Sequence, residues 1–424
     1  MNVFQKQLAE QCGLDARALA EVSAVESQYA AAYKQAEDMT NAAQLRILAA
    51  FQEEQVGDFH LHGSTGYGYG DIGRDKLEEV WARVFEAESA LVRSNIVSGT
   101  HAIATVLFAL LAPGDELISA SGMPYDTLQT IIGETGNDPA SLKAMGVRHT
   151  VVPLTPEGDI DDAAVLAAIG PKTKLVSLQR SRGYLWRPSL TIAQIRRIAT
   201  LIHERFADII VFVDNCYGEF VEEEEPLTAG ADIIAGSLIK NPGGALAPRG
   251  GYIAGRKDLI RRVATRLTAP GIAFEVGSAL DFNRPAFQGL FMAPLIVQQA
   301  LKGAIFASAM LQNRGFAVSP TPAEKRTDII QAVRFEREAP LLAFAEGIQA
   351  ASPLEAYVHP EAAFLPGYDD AVIMAGGTFT QGSSIELSID APMRAPYIGY
   401  MQGGLSYAHV VYAVTLACRR LEEV

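Results

Sequence analysis

Residues 208–220 read DIIVFVDNCYGEF. An unbroken run of β-branched and aromatic residues that ends in a carboxylate is the pattern of a strand buried on both faces, with Asp214 thrown out at its carboxyl end. A charge in that position is costly unless something pairs with it. Working outward, further short β-rich runs lie on both sides: ALVRSNIV (90–97), DELISA (115–120), RHTVVPL (148–154), TKLVSLQ (173–179), ADIIAGS (231–237) and GGYIAG (250–255). Helical patterns over 101–111, 125–133, 161–169 and 191–206 separate most of them. Such alternation predicts βα crossover units, hence an α/β fold with a mostly parallel, seven-stranded sheet covered by helices on both faces. In open sheets of this kind ligands gather beyond the carboxyl ends of the strands, which directs attention to the residue after each run.

The chain has 424 residues, 49% hydrophobic and 20% charged, enough for a large core and far from the profile of disorder. Its formal charge, 35 Lys+Arg against 49 Asp+Glu, is −14. Nucleic acid and anionic membrane are therefore poor partners, since either would have to be neutralised by basic side chains. Cys12, Cys216 and Cys418 are widely spaced and form no CxxC pair, so neither a disulfide framework nor a thiolate metal site is indicated. The N-terminal residues lack a basic stretch followed by an apolar one, and a cytoplasmic location is expected.

Three segments are expected. Residues 1–62 form an N-terminal helical arm, with Leu19, Val22, Val25 and Tyr29 at helical spacing. Residues 63–294 form the large α/β domain. Residues 295–424 comprise a long apolar connecting helix over 295–311 and a small α+β domain, with a helix over 327–351, strand-like DDAVIMAG and SSIELSID, and a last helix over 407–421. A loop with five Gly between Gly63 and Gly73 carries Tyr67 and Tyr69 and reads as a functional loop. The charge run Glu222–Glu225 reads as a solvated loop face.

Chemistry concentrates around the strand ends. Lys240 lies 26 residues after Asp214, in GSLIKNPGG, behind another apolar run. A buried amine loses its proton readily and becomes a nucleophile toward carbonyls, although an Asp–Lys ion pair of purely structural meaning has the same signature. In SNIVSGTHAIATVLFALL (94–111) a strand, a Ser-Gly-Thr turn and a helix follow without a break. The free N–H groups of Gly99 and Thr100, with the Ser98 and Thr100 hydroxyls, make a phosphate seat at a helix N-terminus. Tyr125, in SGMPYDT after the run DELISA, puts an aromatic ring toward the same crevice. Phosphate seat, stacking ring, strand-end carboxylate and lysine together describe a site for pyridoxal 5'-phosphate. His60 and His62 could share one face toward a metal, but no third ligand is near, and no metal site is expected. Cys216 reads as a small buried hydrophobe.

The order of these elements resembles the fold-type I pyridoxal-phosphate enzymes. More closely, VDNCYGEFVEEEEP, GSLIKNPGG, GYGYGDIGRDKLE, FMAP and QGGLSY are similar to the methionine gamma-lyase-like family, also called the aluminium-resistance or cystathionine beta-lyase-like family, over nearly the whole chain. The resemblance implies that Lys240 forms the Schiff base with the cofactor and then moves the α-proton, that Asp214 pairs with the pyridine nitrogen, and that Tyr125 stacks on the ring and can protonate a departing sulfur. It implies that Gly99, Thr100 and Ser237 hold the phosphate, and, more loosely, that Gln179 and Arg180 sit near the cofactor's 3-hydroxyl or the substrate. Related cystathionine enzymes carry a Tyr-x-Arg motif that reaches the neighbouring subunit's phosphate; here it reads Tyr67-Gly68-Tyr69, with Tyr69 in place of the Arg. They also carry an Arg for the substrate carboxylate where this chain has Glu386, which leaves Arg394 as the substitute, since a guanidinium fork suits a carboxylate.

The function so implied is carbon–sulfur lyase activity on an amino acid such as cystathionine or methionine. The implied assembly is a homodimer or homotetramer with active sites shared across the dimer interface. An aminotransferase or decarboxylase on the same scaffold, or a non-catalytic cofactor-binding stress protein, are the alternatives.

Overall fold

The computed structural model describes residues 2–365 and 367–424. The chain divides into two compact units, one of residues 42–294 and one that joins residues 1–41 to 295–424. The helical arm is thereby split within the helix Ala30–Glu53, its first part grouping with the C-terminal segment.

In the larger unit the strands are β1 (Ser89–Arg93), β2 (Glu116–Ser119), β3 (Arg148–Val151), β4 (Thr173–Gln179), β5 (Ile210–Asp214), β6 (Ile233–Ser237) and β7 (Gly251–Gly255). They form one sheet in the order β1-β7-β6-β5-β4-β2-β3. Only β7 runs antiparallel to its neighbours, and each of the seven coincides with one of the β-rich runs of the sequence. The central strands are buried throughout, as two-sided coverage by helices requires: β5, β6 and β7 have no exposed residue. The core packs Leu91, Leu107, Leu175, Phe212 and Ile253 against the helices Gly99–Leu110 and Lys257–Leu267.

Strand order reverses between β2 and β4. Next to this point the register aligns the carboxyl ends of β4, β5 and β6: Gln179 faces Asp214, and Asp214 faces Ala235, two residues before Ser237. This is the crevice in which doubly wound sheets hold ligands.

The smaller unit has a five-stranded antiparallel sheet of β8 (Ala317–Ser319), β9 (Gln331–Arg334), β10 (Val372–Ala375), β11 (Ser388–Pro392) and β12 (Ile398–Gln402), in the order β10-β11-β12-β9-β8. Helices Glu338–Ala350 and Tyr407–Leu421 pack their apolar residues, among them Phe344, Ile348, Val411 and Val414, on this sheet. The helix expected over 327–351 is therefore two elements. Gln331–Arg334 pairs with strands on both sides, and the helix starts only at Glu338, because strand partners far away in sequence outweigh the local helical pattern.

The helix expected over 295–311 starts earlier and spans Asn283–Gln312. By length and composition it could cross a membrane, but 61% of its apolar window is buried inside the protein, which makes it a core helix.

The Gly-rich loop is tethered by Asp71. Its carboxylate caps the helix Ile72–Val84 through the Arg74 N–H at 2.9 Å and accepts from the Ser64 N–H and hydroxyl at 2.9 and 2.6 Å and from the Ala279 N–H at 2.9 Å. Burial alone would raise its pKa, but these donors outweigh it and hold the carboxyl down at about 2.

Candidate active site

The helix Gly99–Leu110 starts where β1 has crossed over, with Ser98 as its N-cap accepting the His101 N–H at 3.1 Å. Gly99 and Thr100 are its first residues, so their amides have no acceptor within the helix. A Cβ on Gly99 would stand 2.9 Å from the Cβ of Ser237, at the end of β6. Only a residue without a side chain lets the helix N-terminus close on that strand end, which makes a cradle of its free amides and Ser237. Gly99→Val is accordingly expected to open the cradle and weaken retention of a phosphorylated cofactor at least about tenfold, or 1.4 kcal/mol, as read by spectroscopic titration of the cofactor.

Tyr125 is half-buried at the N-cap of the helix Asp126–Ile132. Its hydroxyl lies 3.2 Å from that of Thr100, and its backbone N–H donates to Gln179 Oε1 at 2.9 Å. Burial, with Asp214 nearby, pushes the phenol well up, so it is protonated at neutral pH. Gln179 spends its amide on the protein itself, accepting from Tyr125 and donating to the Ser181 carbonyl at 3.1 Å.

Asp214, 6% exposed, accepts the Cys216 N–H at 3.1 Å. Burial raises its pKa while the charge on Lys240 pulls against that rise. For Lys240 burial works against the charge, but Cys216, Tyr217, Asp214 and Tyr125 together hold the ammonium well above its ordinary value. Cys216 and Tyr125 are themselves pushed up by burial and stay neutral, so Asp214 is the counter-charge that matters. Cys216 is thus a buried thiol with no tendency to ionise.

Tyr217 was not singled out by sequence. The Lys240 Nζ sits 3.9 Å from its ring centroid, a cation–π contact, and its backbone holds φ at +72°, a strained value for a tyrosine. Asn241, next to the lysine, clamps this turn by donating Nδ2 to the carbonyls of Tyr217 and Glu219 at 2.9 and 3.0 Å. A ring three residues past a strand-end Asp was the available signal; the fold-back that brings it under the lysine has no local signature.

Arg180 is turned into the protein in this structure. It is wholly buried and committed to the protein, donating to Asn215 Oδ1 at 2.7 Å and Glu222 Oε2 at 3.0 Å, with Glu225 Oε2 at 3.7 Å. The same pairs correct the reading of Glu222–Glu225 as a solvated face: Glu223 and Glu224 are exposed, whereas Glu222 and Glu225 turn inward to neutralise Arg180. Arg394 lies in the other unit, on the turn after β11, ion-paired with Asp370 at 2.7 Å. Tyr67 and Tyr69 are exposed, their ring centroids 5.6 Å apart. His60 is buried and accepts the Gly57 N–H through Nδ1 at 2.9 Å, while His62 is largely exposed. Among the described residues no three His, Cys, Asp or Glu side chains gather for a metal.

The family model for methionine gamma-lyase matches residues 18–422. The chain belongs to the methionine gamma-lyase family. Within it, YnbB of Bacillus subtilis is 50% identical over 93% of this chain and 94% of its own. A solved carbon-sulfur lyase of Clostridium novyi, described as involved in aluminum resistance, superposes with a TM-score of 0.94 at 45% identity, covering 99% of each chain. L-methionine gamma-lyase of Pseudomonas deceptionensis is 28% identical over 47% of this chain and 45% of its own. The fold is that of the fold-type I pyridoxal-phosphate enzymes.

The residues fit that cofactor. A buried carboxylate with the pocket beside it suits a pyridinium N–H, the free amides at the start of Gly99–Leu110 suit a phosphate, and the amine of Lys240 stands by the same carboxylate.

Proposed function

We propose that this chain is a pyridoxal-phosphate-dependent carbon–sulfur lyase acting on a sulfur amino acid of the cystathionine or methionine type, with release of a thiol, ammonia and a 2-keto acid. The observation that carries the reading is the Asp214–Lys240 pair at the carboxyl ends of β5 and β6, beside the Gly99–Ser237 cradle.

Lys240 would hold the cofactor covalently through Nζ. Its free amine would take the proton from the substrate's α-carbon. Tyr217 gives the free ammonium a ring to rest on, which keeps it near the reacting carbon instead of drifting to solvent. When bound, the pyridoxal ring supplies an electron sink for the charge left on the α-carbon, and Asp214 keeps its nitrogen protonated. Tyr125, protonated at neutral pH and oriented by Thr100 and Gln179, holds the proton that a departing thiolate takes up. Ser98, Gly99, Thr100 and Ser237 would hold the phosphate. Tyr67 and Tyr69, exposed on their loop, would serve a neighbouring copy in a homodimer or homotetramer.

The test is an absorbance spectrum of the purified protein followed by product analysis with cystathionine and methionine. A visible cofactor band, thiol release and keto-acid formation are expected. Amino transfer to an added keto acid without thiol release would make it an aminotransferase, and the lack of a visible band would end the reading.

A further inference from the structure

A row of polar side chains crosses one face of the large sheet beside the site. Parallel pairing sets Ser119 of β2 opposite Ser177 of β4 and Leu117 opposite His149 of β3, so the two-residue period of the strands turns all three polar side chains to one face. Ser177 Oγ lies 3.3 Å from Ser119 Oγ, Ser119 Oγ lies 2.8 Å from His149 Nε2, and His149 Nδ1 lies 2.7 Å from Glu134 Oε1. At one end, Ser119 and Ser177 line the same small pocket as Gln179 and Asp214. At the other, the Glu134 side chain is 21% exposed and bonds to Lys143 at 3.2 Å. The imidazole between them is 1% exposed.

We propose that Ser177, Ser119, His149 and Glu134 form a proton relay between solvent and the pocket against Asp214. This goes beyond the lyase reading and rests on it only for the identity of the group that binds against Asp214. Glu134, a carboxylate, can only accept, so Nδ1 of the neutral ring carries the hydrogen and Nε2 accepts from Ser119. Outward transfer then balances. A proton from the pocket joins Ser177 Oγ as that serine's own proton turns from the Ile118 carbonyl to Ser119 Oγ, the Ser119 proton passes to Nε2, and the Nδ1 proton moves to Glu134, which releases it to water. One proton has left the pocket, and the ring remains neutral with its hydrogen on Nε2 until a return transfer resets it.

Burial lowers the pKa of His149, Glu134 pulls it up and Lys143 pushes it down, leaving the ring neutral at pH 7 and ready to accept. Among the described residues, the ionisable groups facing the ring are Glu134 and Lys143, both on the segment after the helix Asp126–Ile132. The neighbouring strand contributes the Ser119 hydroxyl, and Glu116 at the start of β2 is taken up by Thr150 and Thr173. Glu134 is held over His149 by the turn at Gly133, whose φ of +94° suits a residue without a side chain and whose Cβ would meet Ser141 Oγ at 2.7 Å.

Two measurements test this. Side-chain nitrogen NMR of the labelled protein should show His149 neutral at pH 7 with its hydrogen on Nδ1; a charged ring or one protonated at Nε2 would overturn the relay whether or not a cofactor is bound. In the cofactor-loaded protein, the visible band after a rapid pH jump should relax at least tenfold more slowly in His149→Ala and Glu134→Gln, with added imidazole restoring the rate in His149→Ala. Lys143→Ala should stay within twofold of the parent. Rates within twofold of the parent in both relay variants, or a slow His149→Ala that imidazole does not restore, would refute it; Glu134→Gln, altered at a partly exposed position, covers the case in which His149→Ala misfolds. A missing visible band would count against the lyase reading, and the NMR result would still decide the relay.

Discussion

Lys240→Ala is expected to lower turnover of any sulfur amino acid by at least about 10⁴-fold and to abolish the visible cofactor band. Two functions vanish with one amine: the covalent hold on the cofactor and the base at the α-carbon. The loss should be in kcat, because the cradle at Gly99 and Ser237 is untouched and phosphate binding survives. Some stability should be lost as well, since removing Lys240 leaves the buried Asp214 without the charge that opposes its desolvation, and its pKa should rise further. An added small amine should recover part of the proton-transfer activity. Turnover within tenfold of the parent would sink both the assignment of Lys240 and the function proposed from it.

Arg180→Met is expected to lower stability by about 3–5 kcal/mol, or roughly 10 °C or more in the unfolding midpoint of the larger unit. The substitution takes from the buried Glu222 and Glu225 carboxylates the guanidinium that lies 3.0 and 3.7 Å from them, with Arg46 at 3.8 Å from Glu225. It also removes the donor that Asn215 Oδ1 accepts at 2.7 Å, leaving that residue, which follows Asp214 directly, held by its Nδ2 to Glu225 and Tyr252. Cofactor affinity should therefore fall together with stability. The triple variant Arg180→Met, Glu222→Gln, Glu225→Gln should recover most of the stability, because a buried ion pair contributes little more than a matched neutral set and the main penalty is for breaking one side of it. Differential scanning calorimetry of the three proteins checks this; an Arg180→Met variant within 1 kcal/mol of the parent would show that the guanidinium is not needed to balance the two glutamates.

Much of the large unit was legible from local pattern. Seven apolar runs with polar ends became seven strands, because a strand buried on both faces has little choice but to be continuously apolar. Asp214, Lys240 and Gly99 could be picked out because each breaks such a pattern at a strand end or a helix start. Gln331–Arg334 could not, since its strand partners Ala317–Ser319 and Ile398–Gln402 lie on either side in sequence and no short-range period encodes the pairing. The partners of Arg180 were hidden for a related reason. An arginine at the end of β4 looks exactly as a ligand-binding arginine would, until the chain after β5 folds Glu222 and Glu225 back onto it.

Sequence by itself therefore determined the α/β class, the strand ends where chemistry collects and the family, because hydrophobic period and punctuation are local properties and the motifs are contiguous. Tertiary structure alone decided which charged side chains are free for a ligand and which are spent on each other, put the Tyr217 ring beneath Lys240, and lined Ser177, Ser119, His149 and Glu134 into one row. Those outcomes depend on distances between residues up to several tens of positions apart, and only a folded sheet with a fixed register sets them.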